Sequence, residues 1–335
     1  MRRSLAAAAV VGAVAIASPL ADANAPTVWT IASIAPEGSP TASAIADWSR
    51  GIERGAAGRL KLRLRVGGVL GEDPDTLLLC KQGKIQGWGG ASGSLAEHVP
   101  ALSVLETPTL FSDVSSVSRA LPHDSMLLPP IAAAHRAAGF EPGAVAFVGF
   151  RAVSTRDRPV RLPPDLRGVR IRSANVEMHR AMWRLLGADA QPVELNHVAA
   201  AFRERRIDAT DTPVTYVFAT ALQDQIRFHT RTQHMVQFGA MTFHQGAFAR
   251  LPPDIQGKLR QSFPPLVKRL TAAHENLEAE LLGALVAGKV VQVIEPGSAE
   301  RAAWKSALSP LGEEAKRLGG PAGAALLAAM RARLR

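Results

Sequence analysis

Cysteine is almost missing from this chain: Cys80 stands alone in 335 residues, so no internal disulfide can form. It lies in the apolar patch Leu77-Leu78-Leu79-Cys80, where the expected role is that of a small buried hydrophobe rather than a reactive thiol. Tyrosine also occurs once, aromatics make up only 5%, and of 39 basic residues just eight are lysine. The formal charge of +10 is therefore carried by arginines interleaved with acids, with no basic run and no aromatic interleaving. That pattern argues against a nucleic-acid partner while leaving a field that draws anions. Beyond the N-terminus no stretch is long and apolar enough to cross a bilayer, which takes roughly 20 residues.

Catalytic signatures are equally sparse. In Gly87-Trp88-Gly89-Gly90-Ala91-Ser92-Gly93, Ser92 stands where the third glycine of a dinucleotide fingerprint belongs, and no Lys-Ser/Thr pair follows for a phosphate loop. The stretch is better read as a tight strand-to-helix turn lining a cleft. Ser92 and Ser94 lack the flanking glycines of a nucleophile elbow. The nine histidines are scattered and present no pair with metal-ligand spacing. No metal, cofactor or enzymatic activity is expected.

What the chain does contain begins with Arg2-Arg3, the apolar run Leu5 to Ala17 and small residues at Ala21, Ala23 and Ala25. This is the three-part pattern of a secretory signal, and residues 1–23 are predicted to be removed after export. Further on, Arg59-Leu60-Lys61-Leu62-Arg63-Leu64-Arg65-Val66 alternates basic and apolar residues, the period of a half-buried strand. Helices are predicted over Pro40–Arg54 with Ser39 as cap, Asp73–Gly83 opened by acidic residues and Pro74, Val114–Ala138, Val176–Leu186, His197–Glu204 and Asp254–Val286. Strands are predicted at Ile85–Trp88, Ser103–Glu106, Ala144–Phe150, Val169–Arg172, Ile207–Thr210 and Val290–Ile294, with extended chain over His234–Phe248. Strands alternating with helices imply α/β architecture with mainly parallel sheets, and such sheets bind ligands at the carboxyl ends of their strands.

Two arginines end strands beside flexible segments: Arg151 after Val145–Phe150, and Arg172 after Val169-Arg170-Ile171. A guanidinium fork matches both oxygens of a carboxylate. From local pattern alone, either residue reads as a surface or salt-bridging arginine.

The order of the motifs is more specific than any one of them. Ala35-Pro36-Glu37-Gly38-Ser39-Pro40, Gly67-Gly68-Val69-Leu70-Gly71, Thr107-Pro108-Thr109-Leu110-Phe111, Pro163 to Arg172, Leu186-Gly187-Ala188 and Arg250-Leu251-Pro252-Pro253-Asp254 follow one another along the chain. Over about Val28 to Pro296 the sequence resembles the dicarboxylate-binding (DctP) type of substrate-binding protein of tripartite ATP-independent periplasmic (TRAP) transporters. The resemblance implies a periplasmic two-lobed α/β protein with a ligand cleft between lobes and a long inter-lobe helix. Lobe I would comprise 24–149 plus about 237–276, and lobe II 150–236 plus about 277–335. It implies that Arg172 holds the carboxylate of a small organic acid, with Arg151 as a second arginine at the inter-lobe strand. Thr212, in Asp208-Ala209-Thr210-Asp211-Thr212-Pro213, stands where the family often carries asparagine. Trp88, Ser92, Tyr216 and Phe238, with Phe111, are the remaining expected cleft residues. Partners would be the small and large membrane subunits of the transporter, to which a monomeric receptor delivers its ligand for ion-gradient-driven uptake. The alternative is a sensory or envelope scaffold protein that presents ligand on the same fold; an exported hydrolase is disfavoured by the missing nucleophile and metal patterns.

Overall fold

The computed structural model describes residues 26–335; the predicted signal segment lies outside the described residues. The alternating stretch forms strand β2 (Leu60–Arg65), with Leu60 and Leu62 buried and the basic residues between them in solvent. It pairs in parallel with β1 (Thr27–Ser33), which pairs in parallel with β3 (Gly87–Ala91). The helix between β1 and β2 spans Pro40–Gly55. Ser39 caps it by accepting from the Ala42 amide at 3.2 Å, and its buried stripe Ala44, Ile45, Trp48 and Ile52 covers the sheet.

The first sheet is completed by β4 (Phe140–Phe150) and by a strand from much later in the chain, β10 (Val236–His244). The order is β2-β1-β3-β10-β4, with β10 antiparallel to both neighbours. The expected parallel sheet is thus mixed. The reason is topological: β10 enters from the second lobe and runs against the strands it joins.

The second sheet contains β5 (Ala152–Thr155), β6 (Arg170–Ser173), β7 (Asp189–Pro192), β8 (Ala209–Thr212), β9 (Phe228–Thr230) and β11 (Gln292–Ile294). They are ordered β11-β9-β5-β8-β6-β7. The chain passes between sheets at β4–β5, at β9–β10, and along the helix Pro253–Gly288. The first half of that helix buries Ile255, Leu259, Phe263, Leu266 and Leu270 in the first-sheet core, whereas Leu285 joins the second-lobe core of Val198, Phe202, Ile207, Val217 and Ile226. One rigid rod therefore packs on both lobes.

Several expected elements differ. The predicted helix Val114–Ala138 is two helices, Val114–Ala120 and Pro129–Ala137, because Pro122 and the Pro129-Pro130 pair interrupt it. Ser103–Glu106, expected as a strand, lies in the 3-10 segment Pro100–Glu106. Extended chain ends at His244, and Gln245–Ala249 is helical. The segment 277–335, assigned to lobe II, ends in the helix Leu311–Leu334, which returns to pack on Pro100–Glu106 and Val114–Ala120 of the first-lobe segment. Small residues permit the approach: a Cβ on Gly319 would stand 3.0 Å from Val104, and one on Gly323 3.1 Å from the Ala101 carbonyl.

Candidate functional site

The carboxyl ends of β1, β3, β4, β6 and β8 converge between the lobes around a cavity of about 210 Å³. From the first lobe it is lined by Ile34, Glu72, Asp73, Ala91 and Glu106; from the second by Arg172, His179, Glu194, Thr212 and Tyr216; and at the crossing strands by Arg151 and Gln237.

Arg172 sits on β6 with 6% of its surface exposed. Its Nε donates to the Val193 carbonyl at 2.8 Å, which fixes the plane of the guanidinium. No carboxylate among the described residues forms an ion pair with it, in contrast to Arg151 with Asp211 and Arg170 with Asp208. Burial, followed by the nearby Arg151 cation, pulls the Arg172 pKa down to about 10. It remains charged at neutral pH, with Asp211 and Glu194 near enough to act on it but no carboxylate in direct contact, the pairing that buried cations ordinarily require.

Arg151 is held differently. Its Nε donates to Asp211 Oδ2 at 2.9 Å, its Nη1 to Gln237, and its amide to the Met235 carbonyl at 2.8 Å. Both ionic partners are nearly inaccessible. Burial alone would raise the Asp211 carboxyl; the Arg151 guanidinium, with His234 beside it, more than offsets this and holds it well below the usual carboxylate range. Arg151 Nη2 has no partner among the described residues and its side chain lines the cavity. Thr212 pairs with Ala152, the residue after Arg151, across the β5–β8 ladder, and its buried hydroxyl likewise has no partner among the described residues.

Four expected cleft residues are elsewhere. Trp88, Phe111 and Phe238 are closed in the first-lobe core, Phe238 edge-on to Phe111 with centroids 5.8 Å apart. Ser92 is fully buried and donates to Glu106 Oε1 at 2.7 Å, so it orients a cavity residue rather than lining the cavity. The strand pleat explains the tryptophan: in Gly87–Ala91 the apolar Trp88 turns into the core while Ala91 reaches the cavity. Tyr216, by contrast, does reach the cavity wall.

The sequence reading missed the acidic wall. Asp73 Oδ2 accepts from the Ala91 amide at 2.9 Å, Oδ1 has no partner among the described residues, and burial pushes its pKa up to about 7. Burial and Glu194 also raise Glu72. The Glu72-Asp73-Pro74 signal was visible, but acids at a helix start serve the helix dipole equally well. Across the lobes, His179 Nε2 meets Glu106 Oε2 at 2.7 Å. A buried cation facing acids suits a ligand bearing a carboxylate and hydrogen-bond donors. The one buried hydroxyl–imidazole contact of the second sheet, Ser154 Oγ to His229 Nδ1 at 2.8 Å, is not among the cavity-lining groups.

The family model for bacterial extracellular solute-binding protein, family 7, matches residues 31–317. The chain is 26% identical over 211 residues to the 2,3-diketo-L-gulonate-binding periplasmic protein YiaO of Escherichia coli, covering 63% of this chain and 64% of that one. It thus spans a little under two thirds of that relative's length. Over 303 residues it is 23% identical to the C4-dicarboxylate-binding periplasmic protein DctP of Rhodobacter capsulatus, covering 88% of each chain. In fold it is similar to a TRAP periplasmic solute-binding protein from Roseobacter denitrificans solved with bound β-D-glucuronate: TM-score 0.83, 23% identity, 91% of this chain and 99% of that one.

Proposed function

Because the chain belongs to the bacterial extracellular solute-binding proteins of family 7, the DctP family, we propose that it is the periplasmic receptor of a TRAP transporter and captures a small organic acid through Arg172. The observation that carries this reading is a buried guanidinium, fixed at Nε and facing the inter-lobe cavity, with no carboxylate among the described residues in ion-pair contact with it. A ligand carboxylate supplies the missing charge through two charge-assisted hydrogen bonds. Arg151, already neutralised by Asp211, contributes Nη2 at the edge of the site, and Thr212 offers a hydroxyl. Glu72, Asp73 and Glu194 can accept from any hydroxyl or amino group the ligand carries beside its carboxylate. The relatives named for a diketogulonate and a C4-dicarboxylate, and the neighbour holding glucuronate, support a carboxylate ligand.

Ligand capture draws the lobes together about the crossing strands and the long helix, excluding water and strengthening the clamp. The closed, monomeric receptor then docks on the small and large membrane subunits. An N-terminal signal cleaved after Ala23 delivers it to the periplasm.

Calorimetric titration with malate, glucuronate and 2-oxo acids tests the reading. Arg172→Ala should weaken the best ligand about 100-fold or more, since each charge-assisted bond is worth about 1.5–3 kcal/mol. Its unliganded thermal transition should stay level or rise, because an unpaired buried cation has been removed. Undiminished affinity in this variant overturns the role of Arg172.

A further inference from the structure

Beside the cleft cavity lies a larger one of about 500 Å³, with Ile34 and Tyr216 lining both. It lies on the face of the first sheet covered by the helix Pro40–Gly55 and the long helix Pro253–Gly288, and the second-lobe helix Val214–Ala219 closes one side. The same sheet face carries two kinds of packing. At one end Trp29, Trp48, Phe243, Phe248 and Phe263 fill the core with interlocking rings. Toward the second lobe the strands present Gly89, Ala144, Ala146 and Gly239, and the helices Leu266, Leu270, Leu277 and Leu281, around open volume. A mainly apolar recess of this size, opening to solvent at Glu37 and Ala219, falls within the roughly 300–1,000 Å³ typical of ligand pockets.

The chamber's chemistry restricts that occupant. No lysine or arginine lines it, and its one carboxylate, Glu37, is exposed at the rim. His274, almost fully buried, bonds Thr41 Oγ1 through Nε2 at 2.7 Å, and burial holds it neutral with a pKa down to about 4. A carboxylate therefore has no cation to meet inside the chamber. The nearest buried cations, Arg172 and Arg151, stand in the adjoining cavity beyond the shared Ile34 and Tyr216 wall. Chamber and clamp adjoin along Ile34 and Tyr216, apolar on one side and cationic on the other.

We infer that the ligand is an amphiphilic monocarboxylic acid, its carboxylate on Arg172 and its apolar chain running past Tyr216 into the chamber. This rests on the carboxylate reading above and narrows it.

Titrating the full mature chain with n-alkanoates from four to ten carbons, alongside malate and glucuronate, tests it. Each added methylene should tighten binding about three- to fourfold, the value of burying one such group. Ala146→Phe, which fills the chamber, should abolish the gain with chain length while short acids bind as before. Ala219→Trp, at the exposed rim of the chamber, is the second variant should the core substitution fold poorly, and it should blunt the same gain. Arg172→Ala should weaken every acid in the series. Affinity that is flat or falls with chain length, while malate or glucuronate binds, overturns the chamber inference alone. An undiminished chain-length gain in both filled variants does so as well. Failure of every acid to bind overturns the carboxylate reading itself and the inference with it.

Discussion

Arg151 follows β4 and Arg172 sits on β6, yet one is neutralised by Asp211 and the other faces the cleft with only the Val193 carbonyl as hydrogen-bond partner among the described residues. The pairing partner, not the arginine, makes the difference. Asp211→Asn strands the Arg151 charge and should cost about 3–5 kcal/mol, the usual result of breaking a buried pair; chemical denaturation at pH 7 checks it. His229 gives a pH signature. Burial lowers its pKa from 6.5 in the unfolded chain to about 4, so its neutral form stabilises the fold fully above pH 6.5. That contribution is lost as pH falls from about 6.5 toward 4. Denaturation of the wild type and His229→Gln at pH 7 and pH 4.5 should show a smaller loss on acidification in the variant. The candidate anchor was legible because Arg172 closes a strand within an ordered series of family landmarks. Asp73 was not, because nothing in Glu72-Asp73-Pro74 separates an acid that opens a helix from one that walls a cavity.

Among the elements, what could be read depended on how completely side-chain period and punctuation specify the backbone. Leu60–Arg65 and Pro40–Gly55 follow from alternation and from Ser39-Pro40. Pro100–Glu106 does not, since a short apolar run has no period to separate a strand from a tight helix. Glycines sort the same way. Gly143 in β4 approaches β10 so closely that a Cβ would lie 2.6 Å from the Met241 carbonyl oxygen, a backbone atom that cannot swing aside. Gly143→Ala should therefore destabilise by about 1–3 kcal/mol. Gly51, exposed in the first helix with nothing within 4 Å of its Cβ position, should gain about 0.5–1 kcal/mol on substitution by alanine. Thermal melts of the two variants should move in opposite directions.

For the whole molecule, the two-lobed plan was legible from the resemblance and the strand–helix alternation, whereas the antiparallel insertion of β10 was not, because strand direction depends on where the chain re-enters. Closure of the lobes is marked by Asn196 Nδ2 donating to Glu72 Oε1 at 2.6 Å across the cleft. A surface bond of this kind is worth about 0.5–1.5 kcal/mol. Asn196→Ala should leave the guanidinium clamp intact but speed ligand release about two- to tenfold, measurable by stopped-flow fluorescence of the native tryptophans.

The place of β10 between β3 and β4 also bears on how the chain emerges. When residues up to Phe150 are available, the inner edge of β3 and the partner edge of β4 have no neighbour, and they stay that way until Val236–His244 arrives. A nascent chain thus carries two open strand edges through the synthesis of the entire second lobe. Exposed edges of this kind invite pairing with other chains, so the first sheet is not protected from such pairing until the last third of the chain has appeared.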